Sequence, residues 1–219
     1  MSLNLKDSGG NFKAVPTGNH VARCIRAVDI GTQETEFEGV KSLKHQLILT
    51  WEVLGEDSAG VPMTVDYEGS SLPMTISKWF TASLNAKSTL RSYLASWRGR
   101  DFTPEELKGF AVDSVLGAFC MLNVTQAEKD GKTRSKVASI SPIPAAMKKI
   151  LPKGVHPLLS FDIDKPDMEV FSTFHEKLQD TIKASAEWKA KHHGIATPKT
   201  AESDLDNVPS DAEFEDVPF

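Results

Sequence analysis

Apolar and polar residues alternate along the first part of the chain, which is the pattern of strands with one buried face. The segment NHVARCIRAVDIG, residues 19–31, follows this pattern, and KHQLILTWEVLG, residues 44–55, is rich in β-branched and aromatic residues. The segment between them, TQETEFEGVKS, is polar and carries Gly39 at a position suited to a turn. The pattern therefore predicts two strands joined by a long polar loop.

Two more apolar stretches and a helical period complete the first half of the chain. Residues 61–67, VPMTVDY, read as a third strand, and residues 74–84, MTISKWFTASL, form either a fourth strand or a bent continuation of the third. A helix is predicted over residues 88–98, because apolar residues at helical spacing lie between a capping serine and a terminating glycine. These residues are Ser88, Leu90, Leu94, Trp97 and Gly99.

The clearest local signal is a β-hairpin in GAFCMLNVTQAEKDGKTRSKVASISPIP, residues 117–144. Two apolar runs flank EKDGKT, and Asp130-Gly131 is a dipeptide that tolerates the positive φ angles of a tight turn. We predict two antiparallel strands joined at this dipeptide.

The pattern changes again beyond the hairpin. PLLSFDI, residues 157–163, predicts an edge strand, and a long amphipathic helix is predicted over residues 166–191. This helix either packs back on the body or provides a homodimer contact. After Thr197 the chain is acidic, with too few apolar residues to offset the entropy of ordering them, so we predict disorder. The apolar stripe of the helix consists of Phe171, Phe174, Leu178 and Ile182.

These elements define a mainly β fold class with helical additions. Five strands with a helix between the third and the fourth is the order of the OB-fold, a small, partly open barrel that binds oligonucleotides. A sandwich with an inserted helix fits the periodicity equally well. The predicted organisation is an OB-fold-like DNA-binding domain over residues 1–150, a C-terminal edge segment with the long helix over 151–195, and a disordered acidic tail over 196–219.

Composition bears on location and charge. No run approaches the ~20 apolar residues of a membrane helix, and the N-terminus lacks a secretory signal. Cys24 and Cys120 are predicted to be buried free thiols, so we expect a cytoplasmic protein with no membrane contact. The net charge is −5, yet residues 201–219 hold seven acids and no base. The remaining chain has 25 bases against 23 acids, which is compatible with a polyanionic partner.

Motifs of catalysis and cofactor binding are missing from the sequence. It contains no phosphate-cradling glycine loop, no dinucleotide fingerprint, no H-E-x-x-H and no G-x-S-x-G. The adjacent His192 and His193 point to different sides of a helix, and neither cysteine has a nearby partner in a C-x-x-C pair. We therefore predict no catalytic residues, no metal, no cofactor and no enzymatic activity.

Basic and aromatic residues instead favour nucleic-acid binding. Basic side chains neutralise phosphates, and aromatic faces stack on unpaired bases at roughly 1–3 kcal/mol per base, which suits single strands better than duplex. Trp51 and Trp79 lie among apolar neighbours and fit a core role equally well, while the acids beside Phe37 would repel phosphate. The candidate DNA-binding residues are Phe37, Lys41, Lys44, Trp51, Lys78, Trp79, Lys129, Lys132, Arg134 and Lys136.

The segment DAEFEDVPF, residues 211–219, combines acids with apolar residues. A terminal Phe offers a ring for a hydrophobic pocket and a carboxylate for a basic clamp, and the acids steer the segment toward basic partners. It resembles the C-terminal tip of bacterial and bacteriophage single-stranded DNA-binding proteins, although glutamates and Phe214 replace a pure aspartate run. The resemblance implies that replication or recombination proteins bind Asp216, Val217, Pro218 and Phe219.

The body, over about residues 15–145, also resembles phage-encoded proteins assigned to single-stranded DNA binding through an OB-fold. The similar stretches are SKWFTASLNAKSTLRSYLASWRGRDFTPEEL and GKTRSKVASISPIP. Our hypothesis is a phage or prophage protein that coats exposed single strands without sequence preference and recruits replication or recombination proteins. The alternative is a non-enzymatic phage structural or adaptor protein that uses the barrel and the long helix for assembly.

Overall fold

The protein is mainly β, with short helices between and after the strands. A computed structural model describes residues 13–37, 39–67, 69–129 and 131–193, and the side chains of Phe37, Lys129 and His193 lie outside the description. Within these ranges the strands are β1 (Gly18–Phe37), β2 (Val40–Leu54), β3 (Thr64–Tyr67), β4 (Ser70–Pro73), β5 (Thr75–Thr81), β6 (Phe119–Lys129), β7 (Lys132–Ser141) and β8 (Leu159–Phe161). The α-helices there are α1 (Thr89–Arg98), α2 (Met168–Ser172), α3 (Glu176–Ala184) and α4 (Ala186–His193).

Five strands form one antiparallel sheet in the order β5-β2-β1-β6-β7, and β8 adds a short parallel pairing with β1. The longest strand, β1, pairs with β6 near its start and with β2 along most of its length. Register shifts after Cys24 and Asp29 mark bulges, which bend a strand. No strand ladder joins the edges β5 and β7 within the described residues, so the sheet is not closed into a barrel. The predicted mainly β fold class is confirmed. The predicted barrel is not, because the sheet stays open.

Helix α1 bridges the gap between the two edge strands. The Tyr93 hydroxyl donates to the carbonyl oxygens of Val137 and Ala138 on β7, at 3.0 and 2.8 Å. The Tyr93 ring also packs edge-on against Phe80 of β5, with ring centroids 5.3 Å apart. The edge carbonyls of β7 are therefore satisfied by a side chain where a closed barrel would supply a strand.

The predicted helix over residues 88–98 is confirmed as α1. Its three periodic apolar residues are buried, and Gly99 ends it in the left-handed conformation with φ 69°. Ser88 does not cap the helix with its side chain; its hydroxyl donates to the Ser83 carbonyl at 2.5 Å instead. The buried residues of α1 are Leu90, Leu94 and Trp97.

The predicted long loop between the first two strands is wrong. Residues 32–37 and 40–45 continue β1 and β2 as a two-stranded ribbon, with Phe37 paired to Val40 at the tip. Gly39 has φ 79°, which permits a tight turn. The polar sequence misled because polar residues are compatible with a two-stranded ribbon as well as with a loop. We call residues 32–45 the β1–β2 ribbon.

The remaining strand predictions have different outcomes. Residues 64–67 pair with β4 in a separate two-stranded sheet, so it is residues 75–81, as β5, that join the main sheet beside β2. The predicted hairpin is confirmed as β6 and β7, with Gly131 at φ 71°. The predicted edge strand is confirmed as β8.

The predicted long C-terminal helix is wrong, although its apolar stripe is right. The structure has α2, α3 and α4 in its place, with extended backbone at His175 (ψ 145°) and Ser185 (ψ 154°). Each break lets the chain change direction over a twisted sheet, which one straight helix could not follow. The predicted stripe is buried all the same and consists of Phe171, Phe174, Leu178 and Ile182.

The main sheet has a separate apolar cluster on each face. On the inner face, Trp51, Cys24 and Leu122 pack with α1. On the outer face, Val28, Ile30 and Ile48 pack under the aromatic residues of β8, α2 and α4. Residues 159–193, which we call the C-terminal segment, therefore cover the outer face of the central strands.

Candidate nucleic-acid interface

The two tryptophans among the candidate residues occupy different environments. Trp51 has no exposed surface, and its ring lies 6.0 Å from that of Trp97 in the inner cluster. Because a fully buried ring cannot stack on a base, Trp51 belongs to the core, and the prediction for it is corrected. Trp79 is half-buried and borders the C-terminal segment on the outer face.

Lys78 lies beside Trp79 in β5 but reaches the gap between the edge strands. Its Nζ donates to the Val137 carbonyl oxygen at 3.4 Å and lies 4.9 Å from the centroid of the Tyr93 ring. This lysine helps to bridge β5 and β7, so its contacts are those of a structural residue.

The β1–β2 ribbon carries three candidates. Lys41 is well exposed, with 66% of its side-chain surface accessible, but its Nζ lies 2.6 Å from Glu34 Oε1. Lys44 is half-buried, and Phe37 ends β1 with its side chain outside the description. A phosphate at Lys41 would compete with a carboxylate that is already bound there.

The β6–β7 hairpin carries the other four candidates. Lys132 and Lys136 are exposed and Arg134 is half-buried, while the backbone of Lys129 pairs with Lys132 at the turn. Residues 125–136 extend beyond the start of β1, where Gly18 pairs with Val124, and we call them the β6–β7 ribbon. The two ribbons thus leave the sheet at opposite ends of β1, and the candidate bases form two groups.

The base of the β6–β7 ribbon is held by neutral hydrogen bonds. Ser135 Oγ and Gln126 Nε2 both donate to the Val15 carbonyl oxygen, at 2.9 and 2.8 Å. Val15 is itself buried, so the ribbon is fixed to the inner core.

The base of the β1–β2 ribbon is held by an ionic network that sequence reasoning missed. His45 Nε2 lies 2.7 Å from Asp29 Oδ1, and His45 Nδ1 lies 3.4 Å from Glu187 Oε1. Glu187, on α4, also accepts from the backbone N–H and the hydroxyl of Thr32, at 2.7 and 2.6 Å. A Cβ on Gly31 would lie 2.6 Å from Glu187 Oε2, so only glycine permits this approach. We call Asp29, Thr32, His45 and Glu187 the ribbon network.

The protonation of the ribbon network follows from these contacts. The hydrogen bond with Asp29, helped by the negative charges of Asp29 and Glu187, raises the pKa of His45 against the opposing effect of burial. Burial by itself would raise the pKa of Glu187, but the hydrogen bonds from Thr32 outweigh it and lower that pKa. The network is therefore strongest with His45 charged and Glu187 ionised.

Sequence reasoning also missed a second network, which fixes the segment that connects β7 to β8. Glu52 has no exposed surface and accepts from Arg23 Nε at 2.5 Å and from the backbone N–H groups of Val155 and His156 at 3.1 and 2.9 Å. Burial would raise the pKa of Glu52, but these hydrogen bonds together hold it below its ordinary value. The sequence signal was a lone acid inside the apolar run LILTWEVL.

The remaining chemistry of the described residues is sparse. Cys24 and Cys120 are buried and free, as predicted, and burial raises the pKa of Cys24 to about 12. No three His, Cys, Asp or Glu side chains in the described ranges are placed to hold a metal ion. Among those same residues, no helix has the length and apolarity needed to cross a membrane. The predicted partner-binding residues 216–219 lie outside the described residues.

Comparison with known proteins does not assign the chain to a family. No model of a protein family matches the chain, and no curated protein is significantly similar to it.

Proposed function

We propose that this protein binds single-stranded DNA without sequence preference. The observation that carries the proposal is the β6–β7 ribbon, where Lys132 and Arg134 reach solvent from a hairpin at the edge of a five-stranded sheet. Such bases can neutralise phosphates without reading sequence.

The strand order supports an OB-type architecture. If β1, β2, β5, β6 and β7 are numbered one to five, the sheet order is 3-2-1-4-5, with α1 between the third and fourth strands. The two edges approach each other through Tyr93 and Lys78, as they would in a partly open barrel. OB-folds bind oligonucleotides on the face of their second and third strands and in the loops between strands one and two and between strands four and five.

In a phage or prophage setting, the protein would protect exposed strands and recruit replication or recombination proteins. The acidic residues 201–219 and their motif Asp216, Val217, Pro218 and Phe219 support this part of the proposal, since acids and apolar side chains together suit a basic, apolar pocket.

The decisive experiment is titration of the protein into a fluorescent poly-dT oligonucleotide at low salt, followed by fluorescence anisotropy. We expect saturable binding at micromolar protein or below, weakening as salt is added. Absence of binding at low salt would overturn the proposal.

Removing residues 201–219 tests the acidic tail separately. The seven acids compete with phosphates for the basic surface, so the truncated protein should bind poly-dT more tightly. Unchanged affinity would contradict this competition.

An assembly role is the second candidate, because apolar side chains are exposed between β7 and α2. Ile150 is 75% exposed and Leu158 is 50% exposed. Where such side chains lie together, they mark protein contacts. This adaptor function predicts a protein that self-associates or binds a protein partner and leaves poly-dT unbound.

A further inference from the structure

One stretch of the chain is unusual in its charge. Residues 131–161 contain no Asp or Glu and six bases. The structure places the first part of this stretch on β7 and the second part on residues 142–158, which we call the crossing segment. The bases are Lys132, Arg134, Lys136, Lys148, Lys149 and Lys153.

Five of the six bases of this stretch differ in their surroundings from several other bases of the protein. Elsewhere Lys41 binds Glu34, Arg91 binds Asp101 and Arg100 binds Glu106. In the stretch, Lys148, Lys149 and Lys153 are exposed, as is Lys132, and Arg134 is half-buried. None of these five side chains has an ion pair or a hydrogen bond with the part of the chain that the structure describes. Their charge is therefore available to a phosphate.

The crossing segment is held at a defined position. The backbone N–H groups of Val155 and His156 donate to buried Glu52, and Arg23 Nη2 donates to the His156 carbonyl at 2.6 Å. A Cβ at Gly154 would overlap the Arg23 guanidinium, at 1.8 Å from its central carbon, so the segment lies tightly against the sheet. Lys153 is thus presented from a backbone that is fixed directly after it, and Lys148 and Lys149 precede it in a short 3₁₀ turn, Met147–Lys149.

The outer face of the central strands is a poorer path for a nucleic acid. Val28, Ile30 and Ile48 on that face are buried under the C-terminal segment. β7 is an edge strand with exposed side chains, and the crossing segment follows it directly. Ten residues of strand span about 33 Å at ~3.3 Å per residue. A path of that length suits the site sizes of roughly 4–16 nucleotides that single OB-folds cover.

We propose that single-stranded DNA follows β7 and continues onto the crossing segment, with its phosphates bound by Lys132, Arg134, Lys148, Lys149 and Lys153. This inference rests on the proposed function and specifies its surface. It adds three lysines of the crossing segment to the candidate site. The exposed side chain of Ile150 lies between these lysines in sequence and that of Val155 follows them, and both offer apolar surface to the bases.

The test compares two triple variants with the same change of charge. The first replaces Lys148, Lys149 and Lys153 by Gln, and the control replaces the exposed Lys108, Lys165 and Lys177, which lie on other elements. Poly-dT affinity is measured for both and for the unmodified chain over a range of salt. We expect the first variant to lose about tenfold or more in affinity at low salt, and its salt slope to fall by about 2, since each phosphate contact on a single strand contributes ~0.7. The control should lose less than about threefold and keep its slope.

The outcomes separate the inference from the proposed function. If the unmodified chain does not bind poly-dT, the proposed function fails. If it binds and the two variants lose affinity and slope equally, the function stands and the path along the crossing segment is wrong.

A second measurement needs no variant. Acetylation of surface lysines in the unmodified protein, read by mass spectrometry, should be slowed by poly-dT at Lys148, Lys149 and Lys153 and unchanged at Lys165 and Lys177. Equal reactivity with and without poly-dT at the crossing segment would overturn the proposal even if the triple variant failed to fold.

Discussion

The two ribbons of this protein are built alike and charged differently. Each is a tight two-stranded extension with a glycine at its tip and lysines along its strands. On the β1–β2 ribbon, Lys41 is bound by Glu34 from the neighbouring strand. On the β6–β7 ribbon, the side chains of Lys132 and Arg134 have no such partner among the described residues. The comparison teaches that the cross-strand neighbour of a base, and not its place at a hairpin, decides whether its charge is available.

The ribbons also differ in how they are attached. The β6–β7 ribbon is held by two neutral hydrogen bonds to the Val15 carbonyl. The β1–β2 ribbon is held through ionised side chains, with His45 between Asp29 and Glu187. We therefore expect one attachment to depend on pH and the other to be insensitive to it.

The largest expected effect is on DNA affinity. Replacing Lys132 and Arg134 by Glu should weaken poly-dT binding by roughly 100-fold at low salt, because two phosphate contacts become repulsions. The matched change on the other ribbon, Lys41 and Lys44 to Glu, should cost less than about threefold. Fluorescence anisotropy measures both. Equal losses for the two ribbons would remove the distinction between them.

The next effect is on stability, through the attachment of the β1–β2 ribbon. Glu187→Ala leaves the Thr32 N–H and hydroxyl without their acceptor and removes one of the two carboxylates beside His45, so it should lower the free energy of unfolding by about 2 kcal/mol. Ser135→Ala removes one neutral hydrogen bond from the other ribbon and should cost about 1 kcal/mol. Urea unfolding gives both values. The exposed Glu176 is the control, and a Glu187 variant no less stable than Glu176→Ala would argue against the ribbon network.

A smaller effect is the pH dependence of the same attachment. The folded-state pKa of His45 is raised above its ordinary 6.5, so its contribution is fully present below pH 6.5 and is lost as pH rises through the folded-state pKa. Glu187 acts in the opposite window, because its lowered pKa contributes above pH 4.5 and the contribution is lost in acid.

The measurement is the free energy of unfolding of the unmodified chain and of His45→Gln from pH 6 upward. The difference between the two proteins should shrink as pH rises, while the difference between the unmodified chain and Ser135→Ala should stay constant. Parallel curves for the unmodified chain and His45→Gln would show that His45 does not couple to folding.

Local patterns predicted the elements whose signals are local. Helix α1 and the β6–β7 hairpin followed from the spacing of Leu90 and Leu94 and from the turn at Gly131. The prediction of a long C-terminal helix failed because His175 and Ser185 each begin a new helix by accepting from the N–H groups of Lys177 and Trp188, which the apolar period does not indicate. The predicted loop failed because the polar run at residues 32–42 suits a ribbon as well as a loop.

The candidate site depended on contacts between distant parts of the chain. The register of β1 and β2 places Lys41 opposite Glu36 and diagonally across from Glu34, seven positions away, whose carboxylate binds it. Glu187 meets Thr32 across 155 positions, and no local pattern indicates that contact. The lysines of the crossing segment carried a signal that could have been read, namely the absence of acids over residues 131–161.

The smallest expected effect comes from releasing Lys41. Glu34→Gln removes the acceptor of Lys41 and makes the β1–β2 ribbon more like the β6–β7 ribbon, so poly-dT affinity should rise by about two- to threefold at low salt, since both side chains are exposed and screened by water. Glu36→Gln on the same ribbon changes the net charge equally and should give a smaller rise. In the double variant with Lys41→Gln the gain should vanish, because the released base is then missing. If the gain in poly-dT affinity survived in that double variant, the charge of Glu34 alone would weaken DNA binding. The ion pair between neighbouring strands would then not explain why the two ribbons differ in the availability of their bases.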